Sequence, residues 1–84
     1  MEKIKVYGAD WCGMTKGARA LLDKLKVDYD YTDIDNDETG ASWVREQNAG
    51  GKERKPTIQV GAKVLIEPSD AELTDALKAG GYIS

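Results

Sequence analysis

The chain has no histidine and only one cysteine in 84 residues. Without histidine, Cys–His and Ser–His–Asp catalysis are both excluded, and so is the commonest transition-metal ligand. One cysteine excludes an internal disulfide, and no clustered Cys/His pattern exists to hold zinc. No apolar stretch approaches the roughly 20 residues of a membrane span. Positive charge is in short supply as well. The net charge is −3, so neither a nucleic-acid backbone nor a membrane is expected as a partner. The chain carries no internal repeat, low-complexity tract or linker. Met1-Glu2-Lys3-Ile4-Lys5 runs straight into a strand pattern, leaving no room for a signal peptide. A cytoplasmic protein with a reduced thiol is expected.

Apolar residues make up 40% of the chain, enough for one compact core without covalent staples. Residues 1–84 read as a single domain. Ile4 and Val6, flanked by Lys3, Lys5 and Tyr7, predict a short strand. Gly8-Ala9-Asp10 breaks it. Met14, Ala18, Leu21, Leu22 and Leu25 then recur at helical spacing and predict one apolar helix face. Gly17 costs that helix roughly 1 kcal/mol relative to alanine, so close neighbouring structure is expected there.

Val27 to Ile34 alternates apolar and polar residues, a second strand. Asp35-Asn36-Asp37-Glu38 predicts a capping box, with Asp35 accepting from the backbone and Glu38 three residues on, for a second helix that carries Ala41, Val44 and Asn48 on one side. Trp43 is expected to pack along that helix. Ala49-Gly50-Gly51 stops it. After the polar loop Lys52-Glu53-Arg54-Lys55 and Pro56, Thr57 to Val60 and Lys63 to Ile66 predict a hairpin around Gly61-Ala62. Pro68 ends the second of these strands. Ser69 to Glu72 predicts a second capping box, opening a helix with Leu73, Ala76 and Leu77 inward.

The order is β-α-β-α-β-β-α. The βαβ unit should cross over right-handed and make a parallel pair, and the hairpin adds two antiparallel strands. An α/β fold is expected, with a four-stranded mixed sheet and three helices covering both faces. The arrangement is thioredoxin-like.

Cys12 falls where the first strand hands over to the first helix. A free cysteine is ordinarily a small buried hydrophobe, but the strand–Cys–Gly–helix context reverses that reading. As helix N-cap, its sulfur is expected to accept from the N–H of Met14 or Thr15. The helix dipole adds partial positive charge at the same place. Both favour thiolate, so a pKa below the ordinary value of about 8.5 is expected. Lys16 lies one turn on, its side chain leaning back toward the helix N-terminus, and is a candidate for further stabilisation; a solvated helix face is the other reading. Thr15 is a candidate hydroxyl donor to the sulfur; an ordinary first-turn residue is the other reading.

These residues resemble the glutaredoxin family. Trp11-Cys12-Gly13-Met14-Thr15 is similar to its Cys-x-x-Cys or Cys-x-x-Ser site. Arg54-Lys55-Pro56-Thr57 lies where glutaredoxins carry Thr-Val-Pro with a cis proline. Pro68-Ser69-Asp70 lies where they carry a Gly-Gly-Cys-Asp-like turn. The mycoredoxin-like branch is the nearest resemblance, through Trp11-Cys12-Gly13, Asp33-Ile34, Asn48-Ala49-Gly50-Gly51 and Glu67-Pro68-Ser69. The likeness spans nearly the whole chain. Thr15 replaces the second cysteine, Arg54-Lys55 replaces Thr-Val, and Glu67-Pro68 replaces the paired glycines.

The resemblance implies a thiol–disulfide oxidoreductase with Cys12 as its catalytic residue and no tightly bound cofactor or metal. Thr15 in place of cysteine restricts it to a monothiol route, because exchange through a mixed disulfide needs one protein sulfur. The implied co-substrate is a small thiol of glutathione or mycothiol type, and the implied partners are proteins carrying mixed disulfides. The chain is expected to act as a monomer. Pro56 is expected to be cis beside Cys12 and to leave the Lys55 backbone free for the bound thiol. The helix opened by Ser69 and Asp70 is expected to hold the small thiol's carboxylate through backbone N–H groups. Two other readings stay open: a non-catalytic thioredoxin-fold binding module, and a monothiol iron–sulfur carrier.

Overall fold

Parallel pairing follows from the first crossover. The computed structural model describes residues 1–84. Strand β1 (Ile4–Gly8) leads into helix α1 (Gly13–Lys24), which returns the chain to strand β2 (Tyr29–Asp33). Strands joined by a helix this way run parallel, and Ile4 pairs with Tyr29 through to Gly8 with Asp33. Helix α2 (Glu38–Gln47) and a short 3-10 turn, Ala49–Gly51, follow. Strands β3 (Thr57–Val60) and β4 (Lys63–Ile66) form an antiparallel hairpin, and helix α3 (Asp70–Ala79) closes the chain. The sheet order is β2-β1-β3-β4, with β3 antiparallel to β1. This is the thioredoxin-like arrangement the element order predicts. No helix is long and apolar enough to cross a membrane.

The period-2 alternation of β1 divides the core between two faces. Ile4 and Val6 point to one side and pack with Ala18 and Leu22 of α1, Ile58 and Val60 of β3, and Leu73, Ala76 and Leu77 of α3. Tyr7 points to the other side, where Ile34, Ala41 and Val44 form a smaller cluster under α2. There Tyr7 stacks on Trp43 with ring centroids 4.5 Å apart. Sandwiching β1 between these clusters fixes its C-terminal end, and Cys12 lies just beyond it.

Four expectations needed correction. The buried positions at the start of α1 are Thr15 and Ala18, whereas Met14 is 48% exposed. The buried stripe is rotated by one residue because Thr15 packs onto Gly8. Gly17 has no neighbour to explain it: a Cβ there would meet nothing within 4 Å. Strand β2 is five residues, not eight, because this edge strand pairs only with the five of β1. The residues before it close α1 instead, with Val27 N–H donating to Leu22 C=O at 3.0 Å and Lys26 in the left-handed region. Finally, α2 is capped by Asp37, whose carboxylate accepts from Gly40 N–H at 2.9 Å. Asp35 sits in the preceding turn and is used elsewhere. The second capping box is present as expected, with Ser69 Oγ accepting from Glu72 N–H and Glu72 Oε1 from Ser69 N–H.

Candidate active site

The approach to Cys12 is a tight turn. Cys12 N–H donates to Ala9 C=O at 3.1 Å, and Lys16 N–H donates to Cys12 C=O at 3.0 Å, which starts the ladder of α1. Cys12 is the N-cap of that helix, with extended backbone angles (φ −79°, ψ 120°). Ala9 is fully buried, and its N–H donates to Thr15 Oγ1 at 3.4 Å. Thr15 is itself fully buried, so it is not an ordinary first-turn residue. Its side chain fills the space beside Gly8, where an added Cβ would stand 2.5 Å from Thr15 Cγ2. Gly8, Ala9 and Thr15 thus form one packed unit beneath the cysteine.

The thiol makes no capping bond through its sulfur. Its S–H instead donates to Lys55 C=O at 3.8 Å, across the Lys55–Pro56 peptide, which is cis. A thiolate has no proton to donate, so ionisation ends that contact and leaves sulfur as an acceptor only. Burial pushes the Cys12 thiol up. The Thr15 hydroxyl, the Thr15 and Met14 amides and the Lys55 ammonium act the other way and hold it below its ordinary value. The expected direction is therefore present. The charge that reaches the sulfur is that of Lys55, whereas Lys16 stands exposed with no ion-pair partner.

Beside Cys12 lies an open groove of about 370 Å³, lined by Trp11, Lys52, Glu53, Arg54, Lys55 and Glu67. Side-chain bonds hold its walls. Arg45 of α2 pairs with Glu53 at 2.6 Å, and Arg54 pairs with Glu67 at 3.4 Å. Lys55 Nζ donates to Glu53 C=O at 3.3 Å and lies 5.6 Å from the centre of the Trp11 ring. Lys55 and Lys52 have no carboxylate partner. Trp11 is 68% exposed and lines the same groove as Cys12. Pro56 is buried behind the groove.

The structure therefore brings Cys12, Thr15, Lys55 and Pro56 together. Ser69 and Asp70 do not line the groove; both are exposed at the start of α3, beyond Glu67. Two contacts at the site were not visible in the sequence. Trp11 Nε1 donates to Asp35 Oδ2 at 2.6 Å, and Tyr31 Oη donates to Asp10 Oδ1 at 2.7 Å. The signal that would have found them is the parallel register. Gly8 opposite Asp33 puts the residues after β1 beside those after β2.

The sequence pattern of the glutaredoxin family matches residues 4–65, which include Cys12, Thr15, Lys16, Lys55 and Pro56 but neither Ser69 nor Asp70. Mycoredoxin 1 of Corynebacterium glutamicum is 36% identical over 53 residues, 62% of this chain and 63% of that protein. The match thus spans less than two thirds of that relative's length. Among solved structures, the glutaredoxin of Archaeoglobus fulgidus superimposes with a TM-score of 0.75 at 20% identity, covering 93% of this chain and 88% of that one. A YffB protein does so with a TM-score of 0.66 at 20% identity, covering 93% and 98%. At that identity the two structures speak for the fold.

Proposed function

The chain belongs to the glutaredoxin family, and from that premise we propose that it is a monothiol thiol–disulfide oxidoreductase acting on mixed disulfides between proteins and a small thiol. The observation that carries the reading is the position of Cys12. The chain's only sulfur nucleophile stands at a helix N-terminus, with its pKa lowered, on the edge of an open groove. Thr15 at the next turn leaves no second sulfur for an internal disulfide.

The reaction balances with one protein sulfur. The Cys12 thiolate attacks the small thiol's sulfur in the mixed disulfide. A Cys12–small-thiol bond forms, the original S–S bond breaks, and the target protein leaves as a thiolate that takes a proton from water. A second small-thiol molecule then attacks the small-thiol sulfur held on Cys12. The products are the small thiol's own disulfide and free Cys12 thiolate. The oxidising equivalents come from the mixed disulfide, and two small-thiol molecules end as one disulfide.

The groove gives each step a support. In the resting thiol, Lys55 C=O holds the proton. Once sulfur is ionised, the Met14 and Thr15 amides and the Thr15 hydroxyl stabilise it. The Lys55 N–H is engaged by no protein group and is the backbone donor for the bound thiol. Lys55 and Lys52 offer unpaired positive charge to its carboxylate or other polar groups. At α3 the capping box occupies the Ser69 and Glu72 amides, so the Asp70 and Ala71 amides are the donors left for a carboxylate there. The small thiol is of glutathione or mycothiol type. The compartment is a reducing one such as the cytoplasm, where a lone thiol stays available, and the working unit is a monomer.

Mass spectrometry after incubation with each oxidised small thiol tests the reading. One adduct at Cys12, removed by the same reduced thiol, is expected, together with turnover of a mixed-disulfide substrate that Cys12→Ser abolishes. No adduct with any small thiol, and no turnover, would refute it.

A further inference from the structure

The turn that presents Cys12 has no regular secondary structure of its own between Gly8 and Gly13, yet it sets where the sulfur stands at the N-terminus of α1. Its backbone closes with one bond, Cys12 N–H to Ala9 C=O. Its two central residues, Asp10 and Trp11, are both exposed. Each is nonetheless tied by its side chain to the same neighbour. Asp10 Oδ1 accepts from Tyr31 Oη of β2 at 2.7 Å, and Trp11 Nε1 donates to Asp35 Oδ2 just after β2 at 2.6 Å.

The anchors are themselves held. The Arg19 guanidinium of α1 lies 3.9 Å from the centre of the Tyr31 ring, and its Nε donates to Tyr29 Oη at 3.3 Å. Asp35 N–H donates to Asp33 Oδ1 at 3.0 Å, and Asn36 Nδ2 donates to Asp33 Oδ2 at 2.7 Å, so the turn bearing Asp35 is fixed to the end of β2. Strand β2 is locked to β1 by the ladder that ends at Gly8–Asp33. The two ties therefore close a rigid frame around four residues.

We propose that Tyr31 and Asp35 are positioning residues that clamp the Ala9–Cys12 turn from outside and so hold the Cys12 sulfur at the N-terminus of α1. The inference rests on the reading of Cys12 as the reactive sulfur. Tyr31 suits the role because it stays protonated: burial, the bond to Asp10 and the charges of Asp10 and Asp33 all push its pKa up, against Arg19. It remains a donor throughout the titration of Cys12. The charge that reaches the sulfur is Lys55; Lys52, Glu53, Arg54 and Glu67 share its groove, Lys16 lies exposed on α1, and Asp10 and Asp35 carry the two ties. Neither Tyr31→Phe nor Trp11→Phe alters any of these charges.

The test is titration of the Cys12 thiolate by ultraviolet absorbance in Tyr31→Phe and Trp11→Phe. Both changes are charge-neutral, and each removes one tie while keeping an aromatic ring. Either is expected to raise the pKa, with about a two- to fivefold loss of thiolate fraction below the midpoint, the equivalent of one ordinary hydrogen bond. Asp10→Asn keeps an oxygen for Tyr31 and removes a negative charge, so its pKa is expected to stay level or fall. Tyr31→Phe and Trp11→Phe with unchanged titrations and intact circular dichroism would overturn the proposal. If Tyr31→Phe fails to fold, Asp35→Ala decides: Asp35 is exposed and outside the groove, and loss of its negative charge alone would lower the pKa, so a rise supports the clamp and a fall or no change overturns it. The titration needs no turnover. An inactive wild type refutes the proposed function and leaves the clamp measurable, while an active wild type with unmoved variants refutes only the clamp.

Discussion

Replacing Thr15 by valine separates the two tasks of one hydroxyl. Valine keeps the shape that fills the space beside Gly8, so packing is nearly preserved. Two polar consequences follow. The N–H of fully buried Ala9 loses the acceptor it meets at 3.4 Å. An unsatisfied buried donor costs about 1–3 kcal/mol; the length of this bond puts the expected loss near the lower end. For a domain of this size, about 1 kcal/mol lowers Tm by roughly 4–8 °C. The second consequence falls on Cys12, which loses one of the groups that hold its pKa down. The thiolate titration should therefore move upward.

The sign of the pH dependence follows from linkage. A thiol with its folded pKa below its unfolded value adds stability above the unfolded value, about 8.5, and loses it as pH falls through the folded value. Wild type should thus gain stability with rising pH across that window, and Thr15→Val should gain less. Urea melts at several pH values, paired with ultraviolet titration, measure both effects. Thr15→Ser is the control: it keeps the hydroxyl, so it should keep the pKa while losing about 0.8 kcal/mol for the missing methyl group. An unmoved titration in Thr15→Val would refute the hydroxyl's role at sulfur. An unmoved stability would refute its role at Ala9.

Two glycines of the same region should answer the same substitution with opposite signs. Gly8→Ala drives a Cβ to 2.5 Å from Thr15 Cγ2 inside a closed space, and overpacking of this kind costs about 1–3 kcal/mol; a rise in urea midpoint would refute it. Gly17→Ala meets nothing within 4 Å on an exposed helix position. It should stabilise by about 0.5–1 kcal/mol, and a lower midpoint would show a neighbour or a conformational need that the packing does not reveal.

What the sequence made legible, and what it hid, divides by the range of the interactions. Periodicity and stop signals are local, so the element order, the mixed sheet and the Ser69–Glu72 cap could be read directly. Local rules also misled where two of them competed. Asp35 and Asp37 both offer a cap; Asp37 wins because its carboxylate reaches Gly40 N–H from an extended backbone, while the Asp33 turn and the Trp11 indole claim Asp35. Met14 and Thr15 both offer the inward position; Thr15 wins because Gly8 leaves a hollow sized for it, and no helical period encodes that hollow. Thr15 stands one turn from Cys12, but Lys55 and the two ties of the Cys12 turn, Tyr31 and Asp35, are distant from it in the chain. Only the strand register brings the last two beside the turn. A missing second cysteine is plain in the sequence. The chemistry it leaves to Cys12 depends on how firmly the fold holds that one sulfur: Thr15 can be read from its spacing to Cys12, whereas the Tyr31 and Asp35 ties come only with the strand register.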